Sequence, residues 1–206
     1  MIEPGTREQI KWGDGNWVFL DVGFASAERS SGLLIADGNA KCFQFAEARE
    51  QIVEHVKRAA SLTNLVIEAP LSVCFNKNGN PTGRRIERET SDGKTKTRYW
   101  YAGLGCSVLV AAAYLIRGLS DAAPKNPVRL FEGFVSYKDR AYGTDHSADV
   151  ELLREVVREP DRFADCIVSD DHLRLDPSDE IVSAFKVCGL DCGVPAVIKR
   201  RFAPRA

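Results

Sequence analysis

No apolar run in this 206-residue chain approaches the roughly 20 residues of a bilayer-spanning helix, so no membrane helix is expected. The opening residues, Met1-Ile2-Glu3-Pro4-Gly5, have neither the basic region nor the apolar core of a secretory signal, and a cytoplasmic protein is expected. The six cysteines, Cys42, Cys74, Cys106, Cys166, Cys188 and Cys192, include no CxxC pair. They form no Cys/His cluster with zinc-ligand spacing, so free and mostly buried thiols are expected. A net excess of either charge is lacking as well: 28 Lys and Arg oppose 29 Asp and Glu, for a net charge of -1. That balance argues against a protein that wraps nucleic acid over its whole surface. A phosphate-binding GxxxxGK[ST] loop, internal repeats and low-complexity tracts are also absent.

What is present is the composition of a soluble globular protein, 44% hydrophobic and 28% charged, of a size for one domain. Residues 1–15 read as an irregular N-terminal segment and 16–206 as a single domain. Short, continuous apolar runs mark buried strands at 17–24, 65–69 and 128–135, and shorter ones lie at 32–36 and 41–46, around the turn Asp37-Gly38-Asn39. Helical spacing predicts helices over 46–61, 99–117, 149–158 and 177–190. The first of these carries the stripe Ile52, Val53, Val56 and Ala60, with His55 at its boundary. The order β-β-β-α-β-α-β-α-α predicts an α/β fold: a mixed sheet with an antiparallel three-stranded start, then parallel strands, flanked by helices. A long polar loop is expected at 72–98.

Four acids stand at places where a carboxylate is costly. Asp21 closes the run Trp17-Val18-Phe19-Leu20, and Glu68 closes Leu65-Val66-Ile67. Asp176 and Asp179 open the last expected helix. Each has an ordinary explanation. Asp21 can hold a turn. Asp176-Pro177-Ser178-Asp179 reads as an N-cap, a proline at the first helical position and an acid in the first turn. Yet i, i+3 spacing also puts Asp176 and Asp179 on one helix face. Open α/β sheets place their sites outside the carboxyl ends of the strands. Acids gathered there repel one another and are expensive to desolvate, and a divalent cation offsets both costs. Asp21, Glu68, Asp176 and Asp179 are therefore the candidate catalytic and metal-ligating residues, for Mg²⁺ or Mn²⁺.

The basic residues are concentrated. Arg84, Arg85, Arg88, Lys94, Lys96 and Arg98 lie in the 72–98 loop, opposed there by Glu87, Glu89 and Asp92. This is a candidate phosphate-binding segment, although a charge run is equally a solvated loop. Tyr99, Trp100 and Tyr101 follow it, able either to stack on an unpaired base or to pack into the core at the start of a helix. His146 and His172 are candidate proton-transfer groups or metal neighbours, or surface histidines.

The element order, Leu20-Asp21-Val22-Gly23, Val66-Ile67-Glu68 and Asp176-x-x-Asp179 together resemble the RNase H-like superfamily, in particular RuvC-like resolvases. Ile67-Glu68-Ala69-Pro70-Leu71 with Gly83-Arg84-Arg85-Ile86-Glu87-Arg88-Glu89 is similar to the family called domain of unknown function 429, a predicted nuclease of that superfamily. Glu180 departs from the pattern, which would have Ala after the last aspartate. The resemblance implies metal-ligand roles for the four acids, nucleic acid (DNA or RNA) as partner, a homodimer in some relatives, and hydrolysis of phosphodiester bonds with two metal ions. The alternative is an inactive RNase H-like nucleic-acid-binding or scaffold protein. Asp21-Val22-Gly23 also resembles the first phosphate loop of sugar-kinase and actin-like ATPases, but no second Gly-rich phosphate motif follows and the chain is short for two such lobes.

Overall fold

The computed structural model describes residues 1–23, 29–91, 94–97, 104–136 and 146–201. The chain opens with β1 (Ile2–Pro4) and β2 (Asn16–Asp21), then turns through β3 (Ser31–Ile35) and β4 (Lys41–Phe43). Helix α1 (Phe45–Arg58) leads to β5 (Thr63–Glu68). Beyond β5 lie β6 (Ser72–Phe75), β7 (Pro81–Thr82), β8 (Arg88–Ser91) and β9 (Lys94–Thr97). Helix α2 (Leu104–Ala122), β10 (Val128–Ser136) and helix α3 (His146–Arg158) follow. The chain closes through β11 (Ile167–Val168), β12 (Glu180–Ser183) and β13 (Val197–Arg201).

Among the described residues, eight strands form one mixed sheet in the order β11-β13-β10-β5-β2-β3-β4, with β1 on β10 as a branch. Strands β2, β5, β10 and β13 run parallel to one another, while β3 and β4 turn back antiparallel from β2 and β11 lies antiparallel on β13. The α/β class and the antiparallel start followed by parallel strands are as expected. All six residues of β5 are buried because both faces of the sheet are covered, which is why Leu65, Val66 and Ile67 are continuously apolar.

The alternation of β2 sorts the two layers. Val18, Leu20 and Val22 pack with α1 (Ala48, Ile52, Val56) and α2 (Ala112, Leu115, Ile116, Leu119). Trp17 and Phe19 pack on the other face with Val150, Leu153, Val156 and Val157 of α3. Each buried Val, Leu, Ile or Phe among them contributes about 1.5–3 kcal/mol by leaving water. In the same alternation Asp21 and Glu68 face the α3 side.

Three expectations are corrected. Residues 1–15 are not wholly irregular, since β1 pairs with β10 (Ile2↔Val128) and Gly5 donates its N–H to the Leu130 carbonyl at 2.7 Å. The 72–98 loop carries four short strands: β6 and β7 belong to a three-stranded sheet with β12, and β8 pairs antiparallel with β9. The helix expected at 177–190 is instead a turn, strand β12 and a 3-10 turn at Lys186–Cys188. There Ile181 and Ser183 are buried in period two against β6, and Val187, which a helix would place on its apolar face, is 91% exposed. The expected helix at 99–117 corresponds to α2, described from Leu104; Tyr99, Trp100 and Tyr101 lie outside the described residues. No helix among the described residues is long and apolar enough to cross a membrane.

Candidate metal centre

Strands β2 and β5 are parallel and in register, so their last residues, Asp21 and Glu68, are Cα partners at the carboxyl edge of the sheet. Asp21 is 3% exposed and Glu68 5%. Glu68 is oriented by the backbone of β10, the Val135 N–H donating to its Oε1 at 3.2 Å.

The first turn of α3 closes on this edge. His146 and Asp149 are i, i+3 and share a helix face. His146 Nδ1 lies 2.6 Å from Asp21 Oδ2 in a hydrogen bond. One donor atom from each of Asp21, His146 and Asp149 lies within 4.8 Å of the others. Asp149 is buried, and a carboxylate in a first helical turn is also favoured by the helix dipole. Two carboxylate oxygens and one imidazole nitrogen, brought together in a shielded position, could hold a metal ion. The first-turn spacing His-x-x-Asp is present in the sequence, where Asp149 marks only the start of the helix expected at 149–158. Its meeting with Asp21 depends on how α3 packs on the sheet.

Asp176 and Asp179 are placed otherwise. Their hydrogen bonds are those of a tight turn entering β12. Asp179 Oδ2 accepts the Asp176 N–H at 3.0 Å, and Asp176 Oδ1 accepts the Ser178 N–H at 2.9 Å and its hydroxyl at 2.7 Å. The Ser178 hydroxyl and amide hold the Asp176 carboxyl below the ordinary carboxylate range. Neither aspartate belongs to the Asp21–His146–Asp149 group.

Arg84 occupies the core rather than the surface, at 0% exposure. It donates to Glu132 Oε1 and Oε2, each at 2.7 Å, to Glu87 Oε1 at 2.9 Å and to Ser72 Oγ at 2.8 Å. Glu132 Oε2 also accepts the Leu71 N–H at 2.8 Å, so the network ties the segment after Glu68 to β10. A guanidinium so enclosed is not open to a phosphate. Burial pushes the Glu87 carboxyl up, against the nearby Arg84 charge. Arg85 and Arg88 are exposed, and Arg85 donates to the carbonyls of Arg174 and Leu175 at 3.0 and 3.5 Å. Lys94 and Lys96 lie on β9, and Arg98 is outside the described residues. His172 is exposed, its Nδ1 2.9 Å from Ser169 Oγ. All six cysteines are free, with Cys74 and Cys192 buried, Cys42 and Cys166 half-buried, and Cys106 and Cys188 exposed.

No family model matches this chain, and neither does any curated protein or solved structure.

Proposed function

We propose that this chain is a metal-dependent nuclease of RNase H-like architecture, with Asp21, His146 and Asp149 as the metal-holding side chains and Glu68 beside them. The observation that carries the reading is the convergence of those three donors at the carboxyl ends of two central parallel strands. The strand order β4-β3-β2-β5-β10, with its antiparallel start, supports the architecture. Among candidate ions, Mg²⁺ and Mn²⁺ suit a carboxylate-rich set, and the imidazole nitrogen tilts the preference to Mn²⁺.

A bound divalent ion would supply Lewis acidity toward a phosphoryl oxygen and lower the pKa of a water. The side chains prepare the place for this. Asp21 and Asp149 furnish negative charge where a cation must be held close to a polyanion. The hydrogen bond between His146 Nδ1 and the accepting Asp21 Oδ2 fixes the rotation of the His146 ring. The Val135 amide fixes the Glu68 carboxylate at the end of the neighbouring strand. The exposed cations Lys77, Arg85 and Arg88 are the described basic side chains of the 72–98 segment that remain available to phosphates, with DNA or RNA as the partner.

The test is cleavage of single- and double-stranded DNA and RNA by the wild type with Mn²⁺, Mg²⁺ or EDTA, alongside Asp21→Asn and Asp149→Asn. Ion-dependent cleavage that both substitutions abolish is expected. Cleavage that persists in Asp21→Asn sinks the reading. Salt-sensitive nucleic-acid binding, indifferent to the ion and to both substitutions and without cleavage, would favour the scaffold alternative instead.

A further inference from the structure

We infer that Gly32 and Gly23 are positioning residues of this centre: together they leave the side-chain-free floor on which the first turn of α3 sits, and so set where His146 presents its ring to Asp21. The inference rests on the metal-centre reading above.

Gly32 is the Cα partner of Asp21 across the β2–β3 pair. A methyl group built on Gly32 would collide with the carbonyl group of His146, 2.5 Å from its carbon, and would stand 3.1 Å from the Ser147 nitrogen. These are backbone atoms, so no rotamer change relieves the overlap. A methyl on Gly23 would collide with the Ser30 carbonyl and stand 2.6 Å from His146 Nε2. One glycine therefore admits the His146 backbone and the other its ring. Neither needs a left-handed backbone, since Gly15, Gly79, Gly189 and Gly193 are the described glycines with positive φ. Space, not conformational freedom, is what these two positions supply. The His146 to Asp21 distance of 2.6 Å leaves no slack. Lifting the turn by the amount a methyl requires would break that contact and draw Asp149 out of the group, because both residues ride on the same turn.

The distinguishing property is a site effect that is not a general loosening of α3. Leu153 is fully buried on the same helix, two turns beyond His146, so Leu153→Ala undermines the packing of α3 without touching its first turn. The experiment titrates Mn²⁺ into wild type, Gly32→Ala, Leu153→Ala and His146→Ala by calorimetry. It records melting of each and the imidazole ¹⁵N resonances of His146 in the metal-free proteins. Gly32→Ala is expected to melt cooperatively, to bind Mn²⁺ about 10-fold or more weakly, approaching His146→Ala, and to shift the His146 resonances. Leu153→Ala is expected to melt lower yet keep its affinity within about threefold of wild type. Wild-type affinity in Gly32→Ala, an equal loss in Leu153→Ala, or a Gly32→Ala chain with no cooperative melt would each overturn the inference. If wild type binds no Mn²⁺, the metal-centre reading has failed. The glycine role is then decided by the ¹⁵N resonances alone: a shift in Gly32→Ala upholds it and identical spectra refute it.

Discussion

Asp21 and His146 stand 125 residues apart in sequence and 2.6 Å apart in the fold. Asp21 is fixed by the register of β2 against β5, and His146 by the packing of α3 on the face of those strands toward which Asp21 points. With Asp149 also buried, two carboxylates share this place, and ligand binding should therefore be visible as stability. Mn²⁺ at 100 times its dissociation constant is expected to stabilise the wild type by about 2.7 kcal/mol, and Asp21→Asn or Asp149→Asn by close to nothing. Thermal melts with and without EDTA check this; equal shifts in all three proteins would place the ion elsewhere.

The Arg84 network sets a different expectation. Its guanidinium sits between Glu87 and Glu132, with all three side chains at 0–1% exposure. Arg84→Ala strands two buried carboxylates and is expected to cost about 3–5 kcal/mol in denaturant unfolding. Arg84→Lys should recover little, because a lysine cannot make the two-pronged contact with Glu132 while also reaching Glu87. A loss below about 1 kcal/mol in Arg84→Ala would show that the network is dispensable.

The half-buried His55 on α1 gives a pH signature. Burial lowers its pKa from the ordinary 6.5, so the unfolded chain binds the proton more readily than the folded one. Its contribution is complete above pH 6.5 and is lost as the pH falls from there through the folded value. His55→Gln is expected to flatten the pH dependence of stability on that acid side, measured by urea unfolding between about pH 5 and 8. An unchanged slope in the variant would remove His55 as its source.

The thiols should separate by burial. Cys106 and Cys188 are exposed and should react promptly with an aromatic disulfide reagent at mildly alkaline pH. Cys192, whose thiol burial pushes up to about 11, should react only when the chain opens, and the buried Cys74 should behave likewise. Prompt labelling of Cys192 by mass spectrometry would contradict its packing.

Ala123 follows the last residue of α2 with φ 46°, and its N–H donates to the Ser120 carbonyl at 3.1 Å. A left-handed alanine costs about 1 kcal/mol, and glycine is the usual residue at such a helix end. Ala123→Gly is expected to raise stability by about 0.5–1 kcal/mol, less the extra freedom glycine gains when unfolded. A destabilised variant would show that the alanine methyl packs usefully there.

The layers and one half of the candidate site can be read from the residues alone. Continuous apolar runs such as Leu65-Val66-Ile67 can exist only where both faces of a strand are covered, so the buried strands and the acids that close two of them, Asp21 and Glu68, were legible without coordinates. Helical spacing likewise marked α1, α2 and α3. Where local signals were ambiguous, long-range pairing settled the outcome. Asp176-Pro177-Ser178-Asp179 satisfies the chemistry of a helix cap and of a turn alike, and pairing of Ile181 and Ser183 with β6 selected the strand. Arg84 looked like its solvated neighbours, since its exposure depends on Glu132, 48 residues away. The second half of the site was hidden for the same reason. His146 and Asp149 carry a local pattern that many helix starts share, and only the packing of α3 on the sheet brings that turn to Asp21. Burial is written in runs of residues along the chain, whereas which charges meet is set by contacts that close over more than a hundred residues.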